Sequence, residues 1–324
     1  DFERCKNMDL VLTEQIKIAC VPVYFDELGY QFDYKKFDLL IISDIEFNHV
    51  RPVKQWLEKL EIKNYLVVLG GLEQYTLTGD FVYRPWWAFN LMWRNQDQYK
   101  EVDHKPFVFD MLLGARKPHR DWILAKSLAT GIESKSICMY RDVFPAPEYI
   151  DDEIDVEIPY PFISSNIKSE YEAAENINFQ VSDRVPWGIY EQTRYSVVPE
   201  TQYQRTFFFS EKPTKVIFAR RLFVVFSCHN YLKAIREELG FKTFGNIIDE
   251  SYDQEENTVK RFEMAFEQML KLADMDYATV QVKTKEIREY NYNRLYQLRK
   301  EKYQQMRNMV YNKLEEIKHA NSVQ

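Results

Sequence analysis

Two short runs in this chain combine cations and carboxylates with the start of a helix. The first is Arg116-Lys117-Pro118-His119-Arg120, which joins a strand-like segment to a helix-like one. Backbone N–H groups at a helix start face an anion, and the helix dipole favours negative charge there. Arg120 in the first turn opposes that dipole, and a bound phosphate would offset the opposition. The second run is Pro199-Glu200-Thr201 at a strand end, followed by Ser210-Glu211-Lys212-Pro213 at a helix start, with Lys212 in the first turn. A Lys or Arg beside a carboxylate at neighbouring strand ends suits a diphosphate and a sugar or ribose hydroxyl respectively. The plainer readings are a solvated basic turn at the first run, and helix capping with surface ion pairs at the second.

Other chemistries lose their usual support. There is no G-x-x-x-x-G-K-[ST], no G-x-G-x-x-G, no G-x-S-x-G and no H-E-x-x-H, which argues against most NTPase, dehydrogenase, esterase and zinc-protease readings. His49, His104, His119, His229 and His319 are scattered, so a His-rich metal centre is not expected. Asp274-Met275-Asp276 lies in a helical pattern, and the acidic run from Asp151 to Glu157 in a connection. Neither reads as an Asp-x-Asp metal motif behind a strand, so no obligatory metal or cofactor is expected. A transferred hydroxyl needs a base, and Asp44 and Glu46, just past the apolar run Phe37–Ile42, are the best-placed carboxylates of the first third. As helix caps or solvent-facing groups they would do no chemistry. Trp86 and Trp87, with Trp93 close behind, would stack on a sugar or a base, or else fill a core.

The elements that must position these residues alternate. Ile16–Val23, Phe37–Ile42 and Tyr65–Leu69 read as strands, with a helical spacing over Val53–Leu60. A second α/β series follows: Phe107–Leu113, a helix over Asp121–Ala129, Ser136–Tyr140, Tyr195–Val198, a helix opening at Ser210, Leu222–Phe226 and a helix over Tyr231–Leu239. Continuous apolar strands separated by amphipathic helices predict parallel sheets covered on both faces. From Asp253 to Gln324 the pattern is almost all helical, without Pro or Gly. The expected architecture is α/β, with two Rossmann-like domains and a long C-terminal helical extension. Its divisions are 1–104, 105–253 and 254–324. In open parallel sheets, ligands sit at the carboxyl ends of the strands.

Composition sets outer bounds. The chain has 324 residues, 45% of them hydrophobic and 29% charged, which is globular and large enough for two domains. A net charge of −7 gives no global basic field for nucleic acid. The segment Gln281–Ala320 departs from that average, with ten Lys and Arg against five Glu. Tyr296, Tyr303, Val310 and Ile317 recur there at heptad spacing, but Arg299 and Lys313 interrupt a full seam. The reading is a helix packing across the domains, or a homodimer formed through it. Cys5, Cys20, Cys138 and Cys228 form no C-x-x-C pair and read as reduced, buried thiols. No apolar run reaches the roughly 18–20 residues of a membrane span. No leader pattern stands at Asp1, so a cytoplasmic protein of a bacterial or phage-infected cell is expected.

The segment Ser210–Phe226 (SEKPTKVIFARRLFVVF) resembles the donor-site motif of the α-1,3-fucosyltransferase family, and Gly114–Leu128 is similar to that family's other phosphate-binding helix. The wider stretch Lys105–Asp253 resembles glycosyltransferase-like proteins of bacteria and tailed phages, through Arg116, Pro118, His119 and Arg120 and the series YSVVPET, SEK, GFKTF and DESYD. The resemblance covers about half the chain. It implies the two-domain GT-B architecture, with the acceptor on the N-terminal domain and a nucleotide-diphosphate sugar on the C-terminal one. By matching position, Arg120 and Lys212 would neutralise the diphosphate, with Arg116, His119 and Ser210 around it. Glu211 and Glu200 would hold the sugar or ribose. Ser210 stands where the family has Thr, and the family's catalytic carboxylate has no clear match.

The expected activity is therefore metal-independent hexosyl or pentosyl transfer to a hydroxyl of a glycan, a lipid-linked glycan or a modified base in phage DNA. Fixed cations would stabilise the leaving diphosphate. One alternative is a non-catalytic nucleotide-binding or assembly module acting through its C-terminal helix. Another is a phosphorylase on the same fold.

Overall fold

Apolar runs too short for helices and separated by amphipathic ones form parallel strands, as a computed structural model of the chain shows. It describes residues 18–22, 37–44, 55, 57–59, 61–72, 81–141, 154, 184–204 and 207–322. The strands that matter for the site are β1 (Ile18–Pro22), β2 (Leu39–Asp44), β3 (Tyr65–Leu69), β4 (Phe81–Tyr83), β5 (Phe107–Ala115), β6 (Ile137–Arg141), β7 (Thr193–Pro199) and β8 (Phe223–Phe226). The helices are α1 (Trp86–Arg94), α2 (Pro118–Thr130), α3 (Trp187–Tyr190), α4 (Glu211–Phe218), α5 (Tyr231–Glu237), α6 (Thr258–Asp274) and α7 (Tyr277–Ser322). The chain forms two compact units, residues 1–87 with 298–324, and residues 88–297. The boundaries expected after residues 104 and 253 do not coincide with the edges of these units. The helical tail is shared out between them.

In the first unit, β1, β2, β3 and β4 lie in that order in one parallel sheet. Side chains alternate between its faces. Leu39, Ile41, Leu66, Val68 and Val82 pack with Met306, Val310, Leu314 and Ile317 of α7 in one buried cluster. The alternate residues Leu40, Ile42, Val67 and Leu69 are also buried, as a sheet covered on both faces requires.

This cluster shows which part of the seven-residue recurrence is buried. Val310 and Ile317 are buried, whereas Tyr296 and Tyr303 are 38% and 39% exposed. The burying positions 306, 310, 314 and 317 follow the pitch of a straight helix on a sheet, not a coiled-coil seam. The apolar stripe of the last turns is thus covered by the chain's own strands. Leu314→Ala should destabilise this unit by about 2–3 kcal/mol. A urea melt of the variant reads the change, and an unmoved midpoint would place the stripe elsewhere.

In the second unit the parallel sheet runs β8-β7-β5-β6. α6 packs on it through an aromatic group in which Phe262 meets Trp122 of α2 at 5.8 Å and Phe226 of β8 at 5.6 Å between ring centroids. Much of the aromatic excess is therefore core. The helical run expected from 253 onward breaks at Met275, which is extended. Asp276 then caps α7 by accepting the Thr279 N–H at 2.8 Å, so Asp274-Met275-Asp276 is a helix junction. Cys138 and Cys228 are buried free thiols, and burial pushes both thiols up. Among the described residues no helix is long and apolar enough to cross a membrane.

Candidate functional site

The order of strands in the second sheet fixes where a ligand is expected. From β5 the chain crosses to β6 on one side, then returns to place β7 and β8 on the other. The carboxyl ends of β5 and β7 therefore flank a topological switch point, where connections leave in opposite directions and open a crevice. The run 115–120 leaves β5 at this point, and Glu200 and Thr201 leave β7 beside it.

The exit from β5 is bent. The pairing with β6 slips between Leu112 and Gly114, and Gly114 takes φ 72°, a conformation that favours glycine. A Cβ there would also lie 3.4 Å from Arg120 Nη1. Pro118 stands in the first turn of α2, where its missing N–H costs nothing. Arg120, only 5% exposed, donates from Nη1 to the Ala115 carbonyl at 2.9 Å. It braces the bend. Arg116 reaches Asp121 at 3.1 Å, and Asp121 also accepts the Tyr140 hydroxyl at 2.7 Å.

His119 is wholly buried. Its Nε2 lies 2.8 Å from the Glu200 carbonyl, which can only accept, so Nε2 carries the proton and Nδ1 is left as an acceptor. Nδ1 is buried and has no partner among the described residues. The ring stacks on Tyr203 at 4.3 Å. Burial, then the charges of Arg120 and Lys117, hold the imidazole well below its ordinary range, so it is neutral and positions β7 against α2.

Glu200 is also wholly buried. Its Oε2 accepts the Thr201 N–H at 2.9 Å. Its Oε1 accepts the Ser210 N–H at 3.0 Å and the Tyr231 hydroxyl at 2.9 Å. Three donors thus hold this carboxylate in place within the fold, two on Oε1 and one on Oε2. Ser210 caps α4, its Oγ accepting the Lys212 N–H at 3.1 Å.

At the expected ligand position two lysines bridge across Thr201. Lys117 donates Nζ to the Thr201 carbonyl at 3.3 Å. Lys212 donates Nζ to the Thr201 hydroxyl at 3.0 Å and to Glu211 at 2.8 Å. Burial, then the charges of Arg120 and Lys212, lower Lys117 to about 7, against the pull of Glu200 and Glu211. Burial would raise Glu211, but Lys212 and Lys215 outweigh it and hold the carboxyl at about 2. Lys117 thus exchanges its proton near neutrality, while Lys212 is paired with a firmly ionised carboxylate.

No family model, curated protein or solved structure matches this chain. The arrangement of its residues is the ground for the functional reading.

The structure brings together Arg116, His119, Arg120, Glu200, Ser210, Glu211 and Lys212 around one switch point. It adds Lys117 and Thr201, which sequence reading left out of the site. The signal was available: Lys117 sits inside the basic turn and Thr201 directly follows Glu200. In the first unit, Asp44 ends β2 with its backbone paired to Leu69, but its side chain lies outside the described residues, as does the whole of Glu46. Trp86 and Trp87 begin α1, and their side chains also lie outside them. Among the described residues no group of three His, Cys, Asp or Glu could hold a metal ion.

Proposed function

We propose that this chain is a glycosyltransferase that uses a nucleotide-diphosphate sugar, with the donor diphosphate seated at the switch point between β5 and β7. The observation that supports this most is the pair Lys117 and Lys212, joined through Thr201 where α2 and α4 begin. Cations and helix N-termini at a strand-end crevice are the means by which proteins hold phosphates. As the glycosidic bond breaks, negative charge grows on the leaving diphosphate. The Lys212 ammonium, and Lys117 once the diphosphate draws a proton onto it, would stabilise that charge with little reorganisation. The sugar is passed to an acceptor hydroxyl, on a glycan or on a modified base of DNA.

A second reading has its own support. Glu200 accepts three hydrogen bonds from the fold and Glu211 is paired to Lys212, so both have a structural role that needs no chemistry. That favours a nucleotide-binding module without chemistry, acting through its C-terminal helix.

Thermal shifts with UDP, GDP, ADP and CMP separate these from no function at the crevice. Stabilisation by a nucleoside diphosphate is expected, weakened about tenfold in affinity by Lys212→Ala through loss of one charge-assisted contact. No stabilisation by any nucleotide would sink both readings. Release of free nucleoside diphosphate from a nucleotide sugar, and its loss in Lys212→Ala, distinguishes the transferase from the module.

A further inference from the structure

The amino ends of the second sheet hold a different group of cations. Lys105 precedes β5, Arg194 opens β7, Arg220 and Arg221 lead into β8, and Arg288 comes from α7. With Tyr99, Tyr190 and Tyr277 they line a solvent-connected cavity of about 30 Å3. A single water needs roughly 10–15 Å3 of such space, so two or three water-sized atoms fit. Seven residues of β7 separate this end from the switch point, roughly 20 Å at strand rise.

The cations differ in their partners. Arg220 pairs with Asp97 at 2.9 Å and Glu289 at 3.1 Å, and Arg221 with Asp110 at 2.7 Å. Lys105, Arg194 and Arg288 have only neutral hydrogen-bond partners among the described residues, with Asp276 acting on Arg194 and Asp110 and Glu191 on Lys105 from farther off. Lys105 donates to the Tyr190 carbonyl, and Arg194 Nε to the Lys105 carbonyl at 3.3 Å. Arg288 donates to the carbonyls of Arg220 and Gln281 and to the hydroxyls of Thr284 and Tyr99. Arg288 is 3% exposed and Lys105 8%. At the rim, Glu191 lies 3.8 Å from Lys100, and Glu101 is exposed.

Burying a cation whose hydrogen-bond partners are all neutral is costly. Gathering the buried Lys105 and Arg288 and the half-buried Arg194 on one small cavity makes sense if an anion completes them. We propose that this cavity binds a small inorganic oxyanion between Lys105, Arg194 and Arg288, its inner oxygens within the cavity and its outer ones at the mouth. This is a second anion site, independent of the switch point.

Binding is coupled to a proton. Burial and the Arg221 charge, with Arg288 adding and Asp110 and Glu191 opposing, lower Lys105 to about 7. The anion prefers the charged amine, so affinity rises as pH falls through that value. Sulfate, whose charge is constant near neutrality, is the probe. Chloride at equal ionic strength is the control, and calorimetry on the full chain reads binding.

Sulfate is expected to bind where chloride does not, and about tenfold more tightly near pH 6 than near pH 8.5. Lys105→Met should remove that pH dependence. The half-buried Arg194→Met should weaken binding by about tenfold or more. The titrations are run in a Lys212→Ala background, which removes one cation of the switch point. The proposal is overturned by sulfate binding no better than chloride, or by equal affinity with and without Arg194→Met. If Lys105→Met does not fold, Arg194→Met still decides it.

Discussion

Asp110→Asn is expected to cost the second unit about 3–5 kcal/mol, because it strands a buried guanidinium. Asp110 is 1% exposed and stands in the middle of β5. Its Oδ2 accepts Arg221 Nη2 at 2.7 Å, Ser196 Oγ at 2.8 Å and Thr193 Oγ1 at 3.0 Å. Arg221 in turn donates to Ser196 Oγ at 2.7 Å and to the Tyr190 and Thr193 carbonyls at 2.8 and 3.0 Å. The guanidinium also lies over the Tyr190 ring at 4.4 Å. One carboxylate thus ties the central strand to β7 and to the turn that enters β8. Asparagine fills the same space, so packing is kept and the charge is what changes. Arg221→Met should be as damaging, since it leaves the carboxylate alone. The double variant Asp110→Asn with Arg221→Met should recover part of the loss, because an ion pair replaced by uncharged groups is often near neutral. Thermal melts give the single losses, on the order of 10 °C each, and the cycle gives the coupling. Additive losses would show that the two residues act independently.

That network also shows what the sequence made readable. An Asp inside the apolar run Phe107–Leu113 requires a buried partner, and Arg220-Arg221 before another apolar run is where one stands. Strand positions were readable because apolar runs of this length, bounded by Gly, Pro and charges, have few other solutions. Strand order was not. Only the structure shows β7 lying beside β5 rather than β6, and this is what brings Thr201 to Lys117. The break at Met275 escaped because nothing in its residue type interrupts a helix; Asp276, a good cap, was the available sign. The Tyr296–Ile317 recurrence lacks a full seam at Arg299 and Lys313, and a spacing of seven leaves open whether the stripe meets another helix or a sheet until the partner surface is known.

The same limit explains Glu200. A carboxylate at a strand end reads as a ligand group, yet the chain folds three donors onto it. Its role separates from ligand binding in one substitution. In Glu200→Gln the amide oxygen can replace Oε1 and still accept from Ser210 N–H and Tyr231. The amide NH2 then takes the place of Oε2 and faces the Thr201 N–H, two donors meeting with no acceptor between them. One hydrogen bond is lost and a donor is left unsatisfied, which costs about 2–3 kcal/mol. Tyr231→Phe removes the hydroxyl that donates to Glu200 Oε1 and should cost about 1 kcal/mol. Both changes leave the Nζ groups of Lys117 and Lys212 in place, so at a temperature well below the melt nucleotide affinity should be preserved. A Glu200 that held the donor sugar or ribose would give the reverse pattern: stability near wild type and affinity reduced at least tenfold. Denaturant midpoints and nucleotide titrations on the same preparations decide between a clasp that shapes the crevice and a group that touches what enters it.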